Sequence, residues 1–150
     1  MKISFHGAAR TVTGSKHLVQ LANGENFLLD CGLFQGLGRD TDAYNANFGF
    51  DAKTVDYVIL SHAHIDHTGL LPKLAAEGFK GKIYCTPATK ALTEILLEDS
   101  AMIQRDDAKY KNKRLAREGM PQVEPLYTMD DVNLLLPMLQ TVEYDKPYTI

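Results

Sequence analysis

Apolar and polar positions along this chain follow two rhythms, and each change of rhythm marks an element. Residues 2–6 (KISFH) alternate in the manner of a first strand. Residues 16–21 (KHLVQL) and 26–30 (NFLLD) are apolar-rich runs on either side of Ala22-Asn23-Gly24-Glu25. Asn and Gly both tolerate positive φ, so this spacing predicts a hairpin. Residues 31–50 are rich in Gly, Asn and Asp and predict a long loop. Residues 55–60 (VDYVIL) form a mostly apolar run with β-branched members, the pattern of a buried strand.

Helical spacing takes over further along. Residues 69–77 (GLLPKLAAE) predict a helix closed by Gly78, with Pro72 confined to the first turn, where backbone N–H groups have no intrahelical partner. Residues 82–85 (KIYC) predict another short strand. Thr86-Pro87 is a helix start, a hydroxyl cap followed by proline at the first helical position. Leu92, Ile95, Leu96, Asp99 and Ile103 recur at helical spacing, which predicts that this face packs inward to about residue 104. The charged residues 105–118 extend that helix towards Gly119-Met120-Pro121. Thr128 and Asp131 resemble a capping box with Asp in the usual Glu place, opening a helix that turns Val132, Leu135, Leu136 and Leu139 inward. The closing residues 145–150 predict a strand. Strands alternating with helices give an α/β class, with helices covering sheet faces.

The 150 residues are the size of one ordinary domain, and 45% hydrophobic against 23% charged residues is enough to bury a core. A net charge of -3 argues against a protein that holds nucleic acid by overall charge. Cys31 and Cys85 are too few and too far apart for a disulfide framework. The opening residues lack the continuous apolar core of a signal peptide, and no apolar run is long enough to span a bilayer. The expectation is a cytoplasmic protein with reduced thiols and no membrane partner.

The chemistry concentrates in Ser61-His62-Ala63-His64-Ile65-Asp66-His67, which packs three imidazoles and a carboxylate into six residues. These are the ligand types that zinc and similar divalent ions prefer. In extended chain after Leu60, His62 and His64 point the same way and can grip one ion. Asp66 and His67 follow as the chain turns into the next helix, and face a second position. A helical HExxH site is excluded, because that motif needs its histidines four apart on one helical face. A lone histidine in a polar loop is ordinary surface; four such residues at this spacing, between an apolar strand and Gly69, read as the metal ligands His62, His64, Asp66 and His67.

HxHxDH after a buried strand resembles the signature of the metallo-β-lactamase superfamily. The resemblance implies a four-layer αββα sandwich, of which this chain would be the N-terminal part, and a site with up to two zinc ions. It places His62 and His64 on the first metal, and Asp66 and His67 on the second. It also matches Asp30, in LLLDCG, to an aspartate that orients a metal-bound histidine; the plain alternative is a turn residue before Cys31-Gly32.

Other segments narrow the resemblance. Gly7 to His17 (GAARTVTGSKH) and Asp30 to Gly36 (DCGLFQG) look like the β-CASP branch of nucleases, which cleave RNA and sometimes DNA. Glu98 to Gln104, Asp106 to Tyr110 and Pro125 to Thr128 look like its prokaryotic members. The implied reaction is phosphodiester hydrolysis of RNA, with single-stranded DNA as the alternative substrate. Two metals would hold a bridging water and lower its pKa, and Asp66 would anchor one metal and help orient the nucleophile. A small-molecule metallo-hydrolase of thioesterase or lactamase type, and a noncatalytic metal- or RNA-binding module, are the competing readings.

Substrate-binding residues are not identified. Arg10 and Gln35 are weak candidates. Lys109, Lys111, Lys113, Arg114 and Arg117 alternate with acidic and polar residues, which favours a solvated face over a phosphate site. His6 and His17 lie in or beside strands and read as packed histidines. No histidine follows His67, whereas the family needs two more, a bridging aspartate and an inserted β-CASP domain. The chain is therefore expected to be a fragment, or an unusually short member, and inactive by itself.

Overall fold

The computed structural model describes residues 1–36 and 38–150, with Arg39 described in its backbone only. Six strands form one sheet in sequence order: β1 (Lys2–Phe5), β2 (His17–Gln20), β3 (Asn26–Leu29), β4 (Tyr57–Ile59), β5 (Lys82–Cys85) and β6 (Leu139–Thr141). The first three are antiparallel, and β3 through β6 run parallel. The Asn23-Gly24 turn joins β2 to β3, with Gly24 at φ 94 and its N–H donating to Leu21 O at 3.2 Å. Parallel neighbours need crossovers, and the helices supply them. They are α1 (Thr41–Ala46), α2 (Ile65–Thr68), α3 (Leu71–Ala76), α4 (Pro87–Arg117) and α5 (Met129–Leu135).

Register decides which side of the sheet is buried. Leu18, Leu28, Val58, Ile83 and Leu139 pair across five successive strands, so their side chains share one face. That face packs on Leu70, Leu71, Leu74, Phe79, Leu97, Val132 and Leu135, all at or near zero exposure. The other face is aromatic and half-exposed. Phe27 stacks on Tyr57 at 5.3 Å between ring centroids, Tyr57 meets Tyr84 at 6.2 Å, and Tyr84 meets Tyr148 at 5.5 Å.

Several sequence expectations are corrected. The 31–50 segment is not all loop: a 3-10 turn at Gly38–Asp40 leads into α1, whose Asn45 is buried and hydrogen-bonded to both Phe34 N (2.8 Å) and Phe34 O (3.0 Å). The charged 105–118 segment does continue α4 as one helix. However, the face that α4 buries is Thr89, Thr93, Leu97, Ala101 and Ala108, while Leu92, Ile95 and Ile103 are exposed at 45%, 64% and 53%. Thr89, Thr93, Leu97 and Ala101 stand four apart on one stripe, and α4 packs against α2, α5 and β6. The last strand is at Leu139–Thr141, and residues 145–150 are not a strand. Leu139 still turns inward as expected, from a strand instead of a helix. The capping box forms, with Asp131 Oδ2 accepting from Thr128 N at 2.7 Å and Thr128 Oγ1 at 2.8 Å.

Candidate metal centre

The site is built at the C-terminal ends of the parallel strands, where chains leaving a sheet converge and open α/β sheets hold their ligands. Leu29 of β3 pairs with Ile59 of β4, so Asp30 and Ser61 emerge side by side. Asp30 N still donates to Ile59 O at 3.0 Å, but its own φ of 59° lies in the left-handed region. That conformation costs of order 1 kcal/mol for a residue other than glycine, and Asp tolerates it better than most. It bends the chain out of the strand beneath the next loop.

Three segments are laced together below the histidines. Cys31 N donates to His67 O at 2.7 Å, Leu33 N to Ile65 O at 3.0 Å, Ser15 N to Asp66 O at 2.9 Å and Gly32 N to Ser15 O at 2.8 Å. Gly32 permits the lacing, because a Cβ there would stand 1.6 Å from Asp66 O. Lys16 is fully buried and locks the two glycine-rich segments together. Its Nζ donates to Gly32 O at 2.8 Å and Gly14 O at 3.1 Å, and lies 4.2 Å from the Phe34 ring centre. Burial lowers its pKa from 10.5 to about 8. Thr13 Oγ1 adds a donor to Gln35 O and an acceptor for Gln35 N, both at 3.0 Å.

On this base the motif side chains gather. The His62 ring centre lies 4.0 Å from that of His67 and 4.7 Å from that of His64. Asp66 Oδ2 is 3.6 Å from His67 Nε2. Asp66 and His67 belong to α2, whose Thr68 hydroxyl anchors it to Ala63 O and His64 O at 3.1 Å each. Asp30 is 3% exposed and receives donors on both oxygens. Oδ1 accepts from Ser61 N at 2.8 Å, and Oδ2 lies 2.8 Å from both Ser61 Oγ and His67 Nδ1. Ser15 Oγ approaches the same Oδ2 at 3.5 Å. Burial, reinforced by His67 and His64, lowers the His62 pKa and favours its neutral form, although Asp30 and Asp66 pull the other way.

The donor chemistry fits a divalent metal. His67 Nδ1 is engaged by Asp30, which directs its Nε2 to the side where Asp66 stands. Two ligands on one tetrahedral zinc lie about 3.4 Å apart, close to the spacing of His67 Nε2 and Asp66 Oδ2. The shell is not closed, since among the described residues no three His, Cys, Asp or Glu side chains already form a metal-holding group. The His62 ring meets His64 edge-on and lies tilted against His67.

The remaining candidates fall elsewhere. Arg10 is exposed, and Gln35 lines a cavity of about 660 Å³ between the 33–45 segment and α4 that none of the motif residues touches. Three of the five basic residues late in α4 have acidic neighbours, Lys109 with Asp106 at 3.6 Å, Lys111 with Asp42 at 3.9 Å and Arg114 with Glu118 at 3.8 Å, as a solvated face would. His6 and His17 pack edge-on against Phe50 and Phe5, at 4.9 Å and 5.2 Å. Sequence reasoning gave no role to Ser61, Ser15 or Lys16. The one signal was their place inside the segments GAARTVTGSKH and SHAHIDH, since their partners include residues far along the chain, Asp30 for Ser61 and Asp66 for Ser15.

Comparison with known proteins places these features in context. A family model described as the metallo-beta-lactamase superfamily matches residues 13–141. Ribonuclease TTHA0252 of Thermus thermophilus is 44% identical over 96% of this chain, which covers 28% of that protein. Endoribonuclease ysh-1 of Neurospora crassa is 32% identical over 96% of this chain and 16% of its own length. The chain thus spans less than a third of either relative. A subclass B3 metallo-beta-lactamase, MEM-A1, from a soil metagenome library superposes with a TM-score of 0.46 at 15% identity, over 92% of this chain and 43% of that one.

Proposed function

Since the chain belongs to the metallo-beta-lactamase superfamily, we propose that it is the N-terminal part of a metal-dependent ribonuclease of β-CASP type, with His62, His64, Asp66 and His67 as metal ligands and Asp30 orienting His67. The observation that carries the reading is the Asp30–His67 pair at 2.8 Å, with Asp66 on the far side of the same imidazole. A carboxylate on one ring nitrogen fixes the tautomer and raises the basicity of the other, as around metal-bound histidines generally. The relatives named as ribonucleases support RNA as the substrate, ahead of single-stranded DNA, thioesters or β-lactams.

Zinc, as two ions in the complete enzyme, fits the imidazole and carboxylate donors, and when bound would supply a hydroxide nucleophile at neutral pH and charge stabilisation at phosphorus. The chain's own residues do the positioning. His62 and His64 would serve one position and Asp66 and His67 the other, and Asp66 would also help orient the nucleophile. Backbone bonds from Ser15 and Cys31 hold the 66–67 peptide against the sheet. The rest of the sandwich would cover the half-exposed aromatic face of the sheet, and the β-CASP domain would complete the substrate cleft, so the 150 residues alone are expected to be inactive. Two free, buried cysteines suit a cytoplasmic protein, and no helix among the described residues is long and apolar enough to cross a membrane.

The test uses the polypeptide that the intact reading frame encodes, assayed with zinc or manganese on labelled single-stranded RNA, single-stranded DNA, a thioester and a β-lactam. RNA cleavage that disappears in His62→Ala/His64→Ala supports the reading. Turnover of a thioester or β-lactam without RNA cleavage overturns it.

A further inference from the structure

Asp30 constrains His62 through Ser61, whose hydroxyl stands between them. A carboxylate only accepts hydrogen bonds, so both groups 2.8 Å from Asp30 Oδ2 must donate: the Ser61 hydroxyl and the Nδ1–H of His67. A serine hydroxyl has one proton. Once it points at Asp30, the Ser61 oxygen can only accept from its other neighbours. His62 Nδ1 lies 2.9 Å from that oxygen and must therefore carry its proton. His67 Nδ1 is also 3.3 Å from Ser61 Oγ, but its shorter, charge-assisted bond to Asp30 takes the proton.

We propose that Ser61 is a positioning residue that relays the acceptor character of Asp30 to His62, so that one buried carboxylate sets the tautomer of two histidines and leaves Nε2 of both free for metal. His67 is set directly and His62 through the hydroxyl. Replacing Ser61 by a residue without a hydroxyl leaves the backbone bond from residue 61 to Asp30 Oδ1 in place, so the strand end keeps its anchor. It releases only His62, whose ring then populates the Nε2–H form in which that nitrogen has no lone pair for a ligand bond. His64 has no such constraint: its ring meets the cluster edge-on at His62 and makes no hydrogen bond among the described residues.

The tautomer itself does not depend on metal or RNA, while its use rests on the metal-centre reading above, and the experiment separates the two. The 150-residue chain, labelled with ¹⁵N on histidine and kept metal-free at pH 8, is examined by long-range ¹H–¹⁵N correlation. His62 and His67 are expected to show a pyrrole-type Nδ1 and a pyridine-type Nε2. Ser61→Ala should move His62 towards the opposite pattern and leave His67 unchanged, while Ser61→Thr, which keeps the hydroxyl, should restore the parent pattern. Zinc affinity by calorimetry should weaken about tenfold in Ser61→Ala and recover in Ser61→Thr. The parent spectrum alone can overturn the proposal, if His62 is the Nε2–H tautomer; so can a His62 pattern unaltered in Ser61→Ala, or a shifted tautomer with unchanged zinc affinity. Zinc binding that is unchanged when His62, His64, Asp66 and His67 are all replaced by Ala would instead remove the metal reading and leave the tautomer result standing.

Discussion

Asp30→Asn is the sharpest perturbation of the centre, because it changes charge and donor pattern with almost no change of shape. Asparagine also tolerates the left-handed backbone at φ 59, so the turn itself is spared. The amide must place its NH₂ at one of two oxygen positions. At the Oδ2 position it faces two donors, Ser61 Oγ and His67 Nδ1, each 2.8 Å away. At the Oδ1 position it faces the Ser61 N–H, also at 2.8 Å. Either way at least one buried donor loses its acceptor, which costs about 1–3 kcal/mol. In a domain of this size that lowers Tm by about 2–12 °C. The first orientation is relieved when His67 moves its proton to Nε2, which removes the lone pair that a metal needs. Zinc affinity should then fall about 10–100-fold, equivalent to about 1.4–2.7 kcal/mol. Calorimetric zinc titration of parent and variant, with thermal unfolding of both in the metal-free state, reads the two effects separately. Affinity within a factor of two of the parent, together with an unchanged Tm, would refute the orienting role and leave Asp30 as a turn residue.

Three further outcomes follow from the packing. Gly32→Ala should cost about 3–5 kcal/mol in urea unfolding, because its Cβ would meet Asp66 O at 1.6 Å and the lacing must part; a loss under about 1 kcal/mol would show that the segments separate easily. On α4, Leu97→Ala should cost about 2–5 kcal/mol, and Ile95→Lys should stay within about 0.5 kcal/mol of the parent; the reverse order would restore the inward face that the sequence suggested. Stability should also depend on pH in two opposed ways, measured as urea midpoints against pH. Between about 8 and 10.5 the unfolded chain holds a Lys16 proton that the folded chain has released, so stability rises with pH by up to about 1.4 kcal/mol per unit. Above 9 the folded chain retains thiol protons on Cys31 and Cys85, pushed up by burial to about 12 and about 11, that the unfolded chain has lost, so stability falls. The expected profile climbs from pH 8 to about 9 and then declines, and Lys16→Met should abolish the climb.

The division between sequence and structure follows the range of each interaction. Strand positions at 26–30, 55–60 and 82–85, the Asn23-Gly24 turn, the Thr86-Pro87 helix start and the Thr128–Asp131 cap were legible in the chain. They depend on neighbours within about four residues, where periodicity and backbone preference decide. The donor side chains at 62, 64, 66 and 67, proposed here as ligands, could be singled out for the same reason, since they stand within six consecutive residues. Which stripe of α4 faces inward was not, because two apolar or small stripes satisfy the same period, and only the closeness of β6 and α5 selects Thr89, Thr93, Leu97 and Ala101. The strand at 139–141 was likewise unreadable. Leu139 continues the helical apolar pattern of Val132, Leu135 and Leu136, and the edge of β5 makes a strand of Leu139–Thr141. The roles of Ser61 and Lys16 belong wholly to the tertiary structure. A hydroxyl is a tautomer-setting group only when a carboxylate 31 residues away presents its oxygen at 2.8 Å, and an ammonium locks a site only when two glycine carbonyls and an aromatic face close around it.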